Sequence, residues 1–240
     1  MTAPGGTAER PVNEARAKQF TAHGQDRREE IVRAAHELFA RDGYAETRMT
    51  DIAAAAGVTK GLLYWYFDSR DALIAEIVRD ARRRLRDAQR AAVEGVDDPL
   101  ERLYLGTAAA VRFVIANFRL YQVSEGLTPQ VREVAGKSSM VHARDAAATI
   151  EEGQKLGVVR AHDTPTAIAY ANAGVVNNMS ANSFYKLIPG TPDEVAHAAA
   201  RYVVRACAAD QRMAEAIEAK HALRKPGRPR RSAPRQPSAR

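Results

Sequence analysis

Cysteine is almost absent from this chain, since Cys207 is the only one among 240 residues. An intramolecular disulfide is therefore excluded, and a reducing compartment fits the composition. The sequence also lacks any apolar run near the roughly 18 residues of a membrane span, and its N-terminal segment lacks the apolar core of a signal peptide. These absences predict a soluble, cytoplasmic protein without a membrane partner.

Motifs that carry catalysis or metal binding are missing as well. The sequence contains no glycine-rich phosphate loop, no Gly-x-Ser-x-Gly elbow, and no Cys-x-x-Cys or His-x-x-x-His pair. Its six histidines never stand at metal-ligand spacing. We therefore expect no enzyme activity, no metal site and no cofactor. An enzyme on a helical scaffold is an alternative that no motif supports.

Acidic residues are absent from the C-terminal end, and this is where the positive charge lies. Seven of the 36 basic residues follow His221, and the 29 that precede it are balanced by 29 acidic residues. The net charge of +7 is thus carried entirely by this end. Charge alone does not predict that the rest of the protein binds nucleic acid.

Residues 49–67, by contrast, have a distinctive pattern of two short helices joined by a tight turn. The small Ala53 suits a close helix crossing, and Gly57 suits the left-handed stop after the first helix. Thr59 can cap the second helix with its hydroxyl. Leu63 and Phe67, four residues apart, share one buried face. This layout predicts a helix-turn-helix, which places its second helix in the DNA major groove.

Helices are predicted on both sides of this motif. An apolar stripe that includes Ile31, Ala35 and Leu38 indicates a helix from about Asp26 to Arg41. A longer helix opens after Asp68-Ser69, which supplies its N-cap. The three helices up to Phe67 are expected to bury one small core between them.

Four consecutive aromatic residues, Tyr64 to Phe67, close the second helix of the motif. Such a cluster usually belongs to a core, and Phe67 is expected to do so. Four consecutive helical positions cover all sides of a helix, however, so at least two of them must face solvent or a partner. Exposed aromatic rings beside Lys60 and Arg70 suit contact with deoxyribose and phosphate.

The same region resembles a known family. Residues 29–79 are similar to the DNA-binding domain of the TetR family in a colinear series: Glu29-Glu30-Ile31-Val32, Gly43-Tyr44, Asp51-Ile52-Ala53, Gly57-Val58-Thr59-Lys60-Gly61, Leu63-Tyr64, Tyr66-Phe67 and Ala72-Leu73. The resemblance implies an all-helical, homodimeric bacterial transcription regulator. It is usually a repressor that a small molecule, bound in the C-terminal domain, releases from a palindromic double-stranded DNA operator.

The resemblance also implies DNA contacts at particular positions. The expected contact residues are Arg48, Thr50, Thr59, Lys60, Gly61, Leu62, Tyr64, Trp65, Tyr66 and Arg70. Leu62 stands where the family often has a polar residue, so apolar contact with a thymine methyl is expected there. Arg48 replaces a common capping residue, which leaves Thr47 or Thr50 to cap the first helix of the motif.

Beyond the motif the pattern is helix after helix. We predict a disordered arm over 1–25, a helix-turn-helix domain over 26–72, a helical effector-binding and dimerisation domain over 73–209, and a flexible basic tail over 210–240. Helices at about 164–187 and 192–209 carry small residues that allow close approach. In the family such a pair forms a four-helix bundle with its dimer mate.

The effector pocket is the least defined prediction. Polar residues within apolar helices are the candidates: Arg112, Asn117, His142, Asn172, Asn177, Asn178 and Tyr185. A polar core residue bonded to a neighbour is the usual alternative for each of them. The apolar balance of these helices predicts a small, largely hydrophobic effector.

The basic tail contains a Gly-Arg-Pro core within Lys225-Pro226-Gly227-Arg228-Pro229-Arg230. This resembles an AT-hook, so Lys225, Gly227, Arg228, Pro229 and Arg230 are candidates for minor-groove contact. A disordered, solubilising tail is the alternative. The tail and the motif together also permit a second function, that of an architectural DNA-binding protein without an effector.

Overall fold

The computed structural model describes residues 22–43, 46–119 and 129–223. Within these ranges the chain forms helices and no β-strand, which confirms the predicted all-α fold. An isolated bridge joins Val159 to Ala208. The helices of this part are α1 Ala22–Asp42, α2 Met49–Ala55, α3 Lys60–Tyr66, α4 Arg70–Ala92, α5 Pro99–Ala116, α6 Pro129–Lys155, α7 Pro165–Phe184, α8 Pro192–Cys207 and α9 Gln211–Lys220.

Helices α1 to α3 and the first turns of α4 enclose one core, to which α6 adds Val131. Phe39 of α1, Ile52 of α2, Leu63 of α3 and Leu73 of α4 are almost completely buried in it. Helix α1 begins at Ala22 and so includes the last residues of the arm that was predicted to be disordered. No proline or capping residue over 22–25 would stop the helix from extending this far.

The turn between α2 and α3 has the predicted geometry. Gly57 adopts a left-handed backbone with a φ of 63°, a conformation that costs a residue with a Cβ about 1–2 kcal/mol. The Val58 amide donates to the Ala53 carbonyl at 2.9 Å. The Thr59 hydroxyl accepts from the Leu62 amide at 3.2 Å, which confirms Thr59 as the cap of α3.

The start of α2 differs from the prediction that Thr47 or Thr50 caps it. The buried Thr47 hydroxyl donates instead to the Gly43 carbonyl at 2.8 Å. The Asp51 carboxylate accepts from the Arg48 amide at 3.1 Å. An acidic side chain at this position also interacts favourably with the helix dipole, so Asp51 takes over the role that was assigned to a threonine.

Glu76 fastens α1 to α4 beside the helix-turn-helix. Its carboxylate lies 2.7 Å from Arg28 of α1 and 2.6 Å from Arg79 of α4. Burial alone would raise the pKa of Glu76, but the hydrogen bonds from the two arginines outweigh it and lower the pKa to about 2. Arg28 also lies over the Phe67 ring, 5.1 Å from its centroid. Glu76 and its partner Arg28 therefore connect α1, α4 and the Phe67 ring that follows α3.

The second unit packs α5 and α8 against each other around a buried polar network. The Arg112 guanidinium can only donate, and it lies 2.9 Å from Nε2 of His197, so this nitrogen is the acceptor. Nδ1 of His197 then carries the proton and donates to the Tyr104 hydroxyl at 2.8 Å. Burial, followed by the charge of Arg112, lowers the pKa of His197, consistent with this neutral form.

Helix α9 corrects the prediction that a flexible tail begins at residue 210. The Asp210 carboxylate caps the helix, and Ala214 and Ile217 are buried in the core of the second unit. Lys220 and His221 both lie 2.7 Å from the Glu101 carboxylate in the first turn of α5. The helix is therefore held by apolar burial and by ionic contacts with a distant part of the sequence.

Replacing Glu76 with glutamine should lower the free energy of unfolding by about 1–3 kcal/mol, because two charged hydrogen bonds are weakened. Urea unfolding at neutral pH, followed by the fluorescence of Trp65, measures this change, since Trp65 is the only tryptophan and lies in the same unit. The stabilisation by Glu76 is complete above its ordinary pKa of 4.5 and is lost as the pH falls towards about 2.

The matched control is Glu29→Gln, which removes an exposed carboxylate from α1. It should leave the unfolding midpoint close to that of the wild type. Equal midpoints for the two variants would show that Glu76 does not stabilise the contact between α1 and α4.

Candidate nucleic-acid interface and ligand cavity

One side of α3 presents large side chains to solvent. The exposed fractions are 38% for Leu62, 39% for Tyr64 and 54% for Trp65. Lys60 and Gly61 are exposed as well. These five residues form what we call the recognition face. The opposite side of α3 holds the buried Leu63, so the helix is fixed from behind while this face remains open.

Aromatic contacts arrange part of the recognition face. The Trp65 and Tyr66 rings meet edge to face with their centroids 4.8 Å apart. Nζ of Lys60 lies 6.0 Å from the centroid of the Tyr64 ring. Tyr66 itself is half-buried and packs against the core of the N-terminal unit. Of the three predicted aromatic contact residues, Tyr64 and Trp65 are therefore the more accessible.

The remaining predicted DNA contacts lie at the starts of helices. Arg48, Thr50 and Thr59 are exposed. Arg70 is half-buried, and its guanidinium donates to the Thr47 carbonyl at 3.1 Å. Arg70 thus links the start of α4 to the segment before α2. This hydrogen bond restricts the reach of its guanidinium towards a DNA phosphate.

A cavity of about 390 Å³ opens in the second unit between α4, α5, α6 and α7. Its apolar lining includes Leu103, Ala169, Ala173 and Val176. Its polar lining consists of Arg86, Gln89, Arg90, Arg102, Thr107, Asp145, Thr149 and Asn172. Three of these polar residues are arginines and one is acidic.

Asn172 is the one predicted effector residue that lines this cavity. Arg112 instead pairs with Asp193 and His197. Asn117 donates to the Phe113 carbonyl at 2.8 Å at the end of its own helix. Asn177, Asn178 and Tyr185 are exposed, and the His142 side chain lies outside the described residues. The predicted set therefore does not converge on one site.

The sequence alone does not reveal the arginines of the cavity, because a charged run such as Arg82 to Arg86 is usually a solvated helix face. Their spacing along the helices is the one signal in the sequence that separates the cavity arginines from solvated ones. Arg86 and Arg90 are four residues apart on α4, as Arg102 and Gly106 are on α5, so each pair shares one helical face. The two faces meet at the cavity.

Helices α7 and α8 leave an apolar surface uncovered. Helix α7 has no charged residue, yet Ala169, Ser180 and Ser183 are its only buried positions. Tyr170 and Tyr202 are exposed, and a groove between the two helices is lined by Gly174, Met179 and Ala198 among others. A helix without any charged residue is normally more deeply buried than this one.

The candidate residues of the basic tail, Lys225 to Arg230, lie outside the described residues. The described chain ends at Leu223, beside His221 and its partner Glu101 near the start of α5. Helix α4 extends for about 34 Å between the recognition face and this end of the second unit. The last described residues therefore lie at the end of the protein remote from α3.

Fold and site together define a two-unit helix-turn-helix protein with an internal cavity. Among the described helices, none has the length and apolar character that crossing a membrane requires.

Comparison with known proteins identifies the family. Residues 31–77 match the family model described as bacterial regulatory proteins, tetR family. An uncharacterised HTH-type transcriptional regulator of Mycobacterium tuberculosis is 36% identical over 118 residues, 49% of this chain and 58% of that protein. The probable acrEF/envCD operon repressor of Escherichia coli K12 is 38% identical over 61 residues, 25% of this chain and 28% of that protein.

A solved structure extends the likeness along the chain. The TetR family transcriptional regulator PfmR from Thermus thermophilus superposes with a TM-score of 0.58 at 28% identity, over 73% of this chain and 97% of that one. The chain belongs to the TetR family. It matches 58% of the length of the Mycobacterium relative, so the likeness in sequence is strongest towards the N-terminal unit.

Gly57→Ala should destabilise the N-terminal unit by about 1–2 kcal/mol, because the left-handed backbone is unfavourable for a residue with a Cβ. A Cβ at Gly57 would meet no other atom within 4 Å, so the cost is that of the backbone alone. Gly61→Ala is the matched control, since its Cβ also meets open space but its backbone is helical. In thermal unfolding, the midpoint of Gly57→Ala should lie below that of the wild type, and the midpoint of Gly61→Ala should equal or exceed it. The reverse order would contradict the turn geometry.

Proposed function

We propose that this protein is a DNA-binding transcriptional regulator that binds a palindromic operator as a homodimer and is released by a small effector. The observation that carries the proposal is the recognition face, an open row of a lysine, two aromatic rings and a leucine on a helix whose other side is buried. Isolated exposed apolar residues are ordinary, but a contiguous group on a fixed helix is typical of a binding surface.

The chemistry of the recognition face suits DNA. Lys60 and Gly61 stand in the first turn of α3, the part of a recognition helix that approaches base edges. Leu62 offers an apolar contact for a thymine methyl. Tyr64 and Trp65 can pack on sugars and donate hydrogen bonds to phosphates. Arg48 and Thr50 would meet the backbone at the start of α2, while Arg70 would approach it with its guanidinium already anchored on Thr47.

The proposed dimer uses the uncovered surface of α7 and α8. A second copy would cover the charge-free helix α7 together with Tyr170 and Tyr202. Two recognition helices could then read half-sites about 34 Å apart, one turn of DNA.

The cavity supports an effector-responsive regulator over an architectural protein without a ligand. Its volume falls within the range of roughly 300–1,000 Å³ that is typical of small-molecule sites. Arg86 and Arg90, which line it, belong to the same helix as Arg70 at the helix-turn-helix. A ligand that shifts α4 would therefore change the separation of the recognition helices and weaken operator binding. The name of the Escherichia coli relative supports repression as the mode of action.

Lys60→Ala should weaken binding to the selected operator about tenfold or more while leaving the unfolding midpoint unchanged, since Lys60 is exposed and opens α3. The operator is first obtained by selection of bound duplexes from a random pool, and affinities are then measured by fluorescence anisotropy at fixed salt. Lys155→Ala removes the same charge at the end of α6, remote from α3, and serves as the control. Equal operator affinities for the two variants would contradict the interface.

Gly174→Arg should convert the dimer to a monomer and lower operator affinity by about tenfold or more, because a bound half-site is lost. A Cβ at Gly174 meets no atom of its own subunit within 4 Å and Gly174 is exposed, so the monomer fold should tolerate the substitution. Ala216→Arg adds the same side chain to the exposed side of α9 as a control. Sedimentation velocity measures the mass, and an intact Gly174→Arg dimer would exclude this surface as the interface.

A further inference from the structure

We propose that the cavity binds an anionic amphiphile, with a carboxylate or phosphate head on Arg86 and an apolar body against Leu103, Ala169 and Val176. This assigns a chemical class to the ligand of the cavity, and its consequence for DNA binding rests on the effector role proposed above. It also revises the expectation of a largely hydrophobic effector, since one end of the site is cationic.

The three arginines of the cavity are not equivalent. Arg90 lies 3.9 Å from Asp145, and Arg102 pairs with Glu152. Arg86 has neither a hydrogen bond nor an ion pair among the described residues. Among the described residues, Arg86 is therefore the cavity arginine that does not pair with a protein carboxylate.

The placement of Arg86 makes an anion the matching ligand. Its side chain is half-buried, so part of its hydration is lost without a protein partner in return. A guanidinium binds a carboxylate or phosphate through two parallel hydrogen bonds, which are stronger than neutral ones. The Thr107 and Thr149 hydroxyls in the same lining can donate further bonds to such a head group.

The apolar part of the lining determines the rest of the ligand. Leu103 and Ala169 are buried core residues, and Val176 is half-buried beside them. An alkyl chain placed there would be removed from water, and each buried methylene would favour binding. A ligand with a cationic head would instead bring like charges together at Arg86, which disfavours it.

A matched series of eight-carbon probes tests the assignment: octanoate, octyl phosphate, neutral octanamide and octyltrimethylammonium. Isothermal calorimetry on the full chain gives the affinity of each probe. We expect at least one anion to bind about tenfold or more tightly than the amide, as for a charge-assisted pair, and the cation to bind least. The ratio of octanoate to octyl phosphate distinguishes a carboxylate from a phosphate ligand.

Three variants locate the head group. Arg86→Gln should reduce anion binding about tenfold or more and bring it to the level of the amide, while Arg86→Lys should retain part of the preference. Arg212→Gln makes the same change of charge on the exposed side of α9 and should bind like the wild type. Thermal unfolding without ligand checks that each variant is folded.

Several outcomes would overturn the proposal: equal affinity for anion and amide, tighter binding of the cation, binding by no probe, or an anion preference that survives Arg86→Gln. Operator affinity, measured separately with and without octanoate, tests the proposed function. An anion that binds through Arg86 but leaves operator affinity unchanged would uphold the ligand class and contradict the effector role. Operator binding without any anion preference would contradict the ligand class while supporting the DNA-binding function.

Discussion

The structure depends on one constraint, which is that α4 contributes both to the core of the N-terminal unit and to the cavity of the second unit. Its first turns contribute Leu73, Ile74 and Ile77 to the core of the N-terminal unit. Its later turns line the cavity with Arg86 and Arg90, about 24 Å or more from Arg70 along the helix axis. A helix fixed in this way cannot shift at one end without disturbing the packing at the other.

Two carboxylates near the middle of α4 pair with arginines, and one of these pairs joins the helix to α1. Glu76 joins it to α1, and one turn later Asp80 is 3% exposed and pairs with Arg83 and Arg84 of the same helix. A buried charge of this kind requires its partners, because losing one leaves an uncompensated ion. His36 of α1 lies close to this pair, and burial, then the charge of Arg84, lowers its pKa. The contact between α1 and α4 therefore favours a neutral histidine.

The helix-turn-helix could be derived from the sequence because its determinants are local. Gly57, Thr59 and Leu63 act through backbone conformation, a cap within four residues and a helical period, all of which are visible in one short window. The cap of α2 was not predictable in the same way, since it depended on whether the Thr47 hydroxyl would bond forward to α2 or back to the Gly43 carbonyl. Capping would have used the hydroxyl oxygen as an acceptor of an α2 amide, whereas the structure uses the hydroxyl as a donor.

Features that depend on distant contacts were missed for a different reason. Helix α9 is stabilised by Glu101, 120 positions away from His221, and a short charged segment gives no sign of such a partner. The cavity likewise forms where faces of four helices meet, so Asn172 and Arg86 come together only through packing. A single polar residue within an apolar helix, such as Asn117, instead forms a hydrogen bond with the backbone of its own helix.

The arginines of α4 show how charge is distributed in this fold. In the sequence, the run from Arg82 to Arg86 resembles a solvated or DNA-facing patch. In the structure, however, carboxylates offset the charge of several arginines of α4. Glu76 pairs with Arg79, Asp80 pairs with Arg83 and Arg84, and Asp145 lies near Arg90. The recognition face, for its part, contains Lys60 as its one charged residue. Selectivity for an operator would then come from shape and from a few base and sugar contacts rather than from a dense field of cations. Arg86, which has no ion pair among the described residues, lines the cavity, and there the anion that we propose would contact α4 directly.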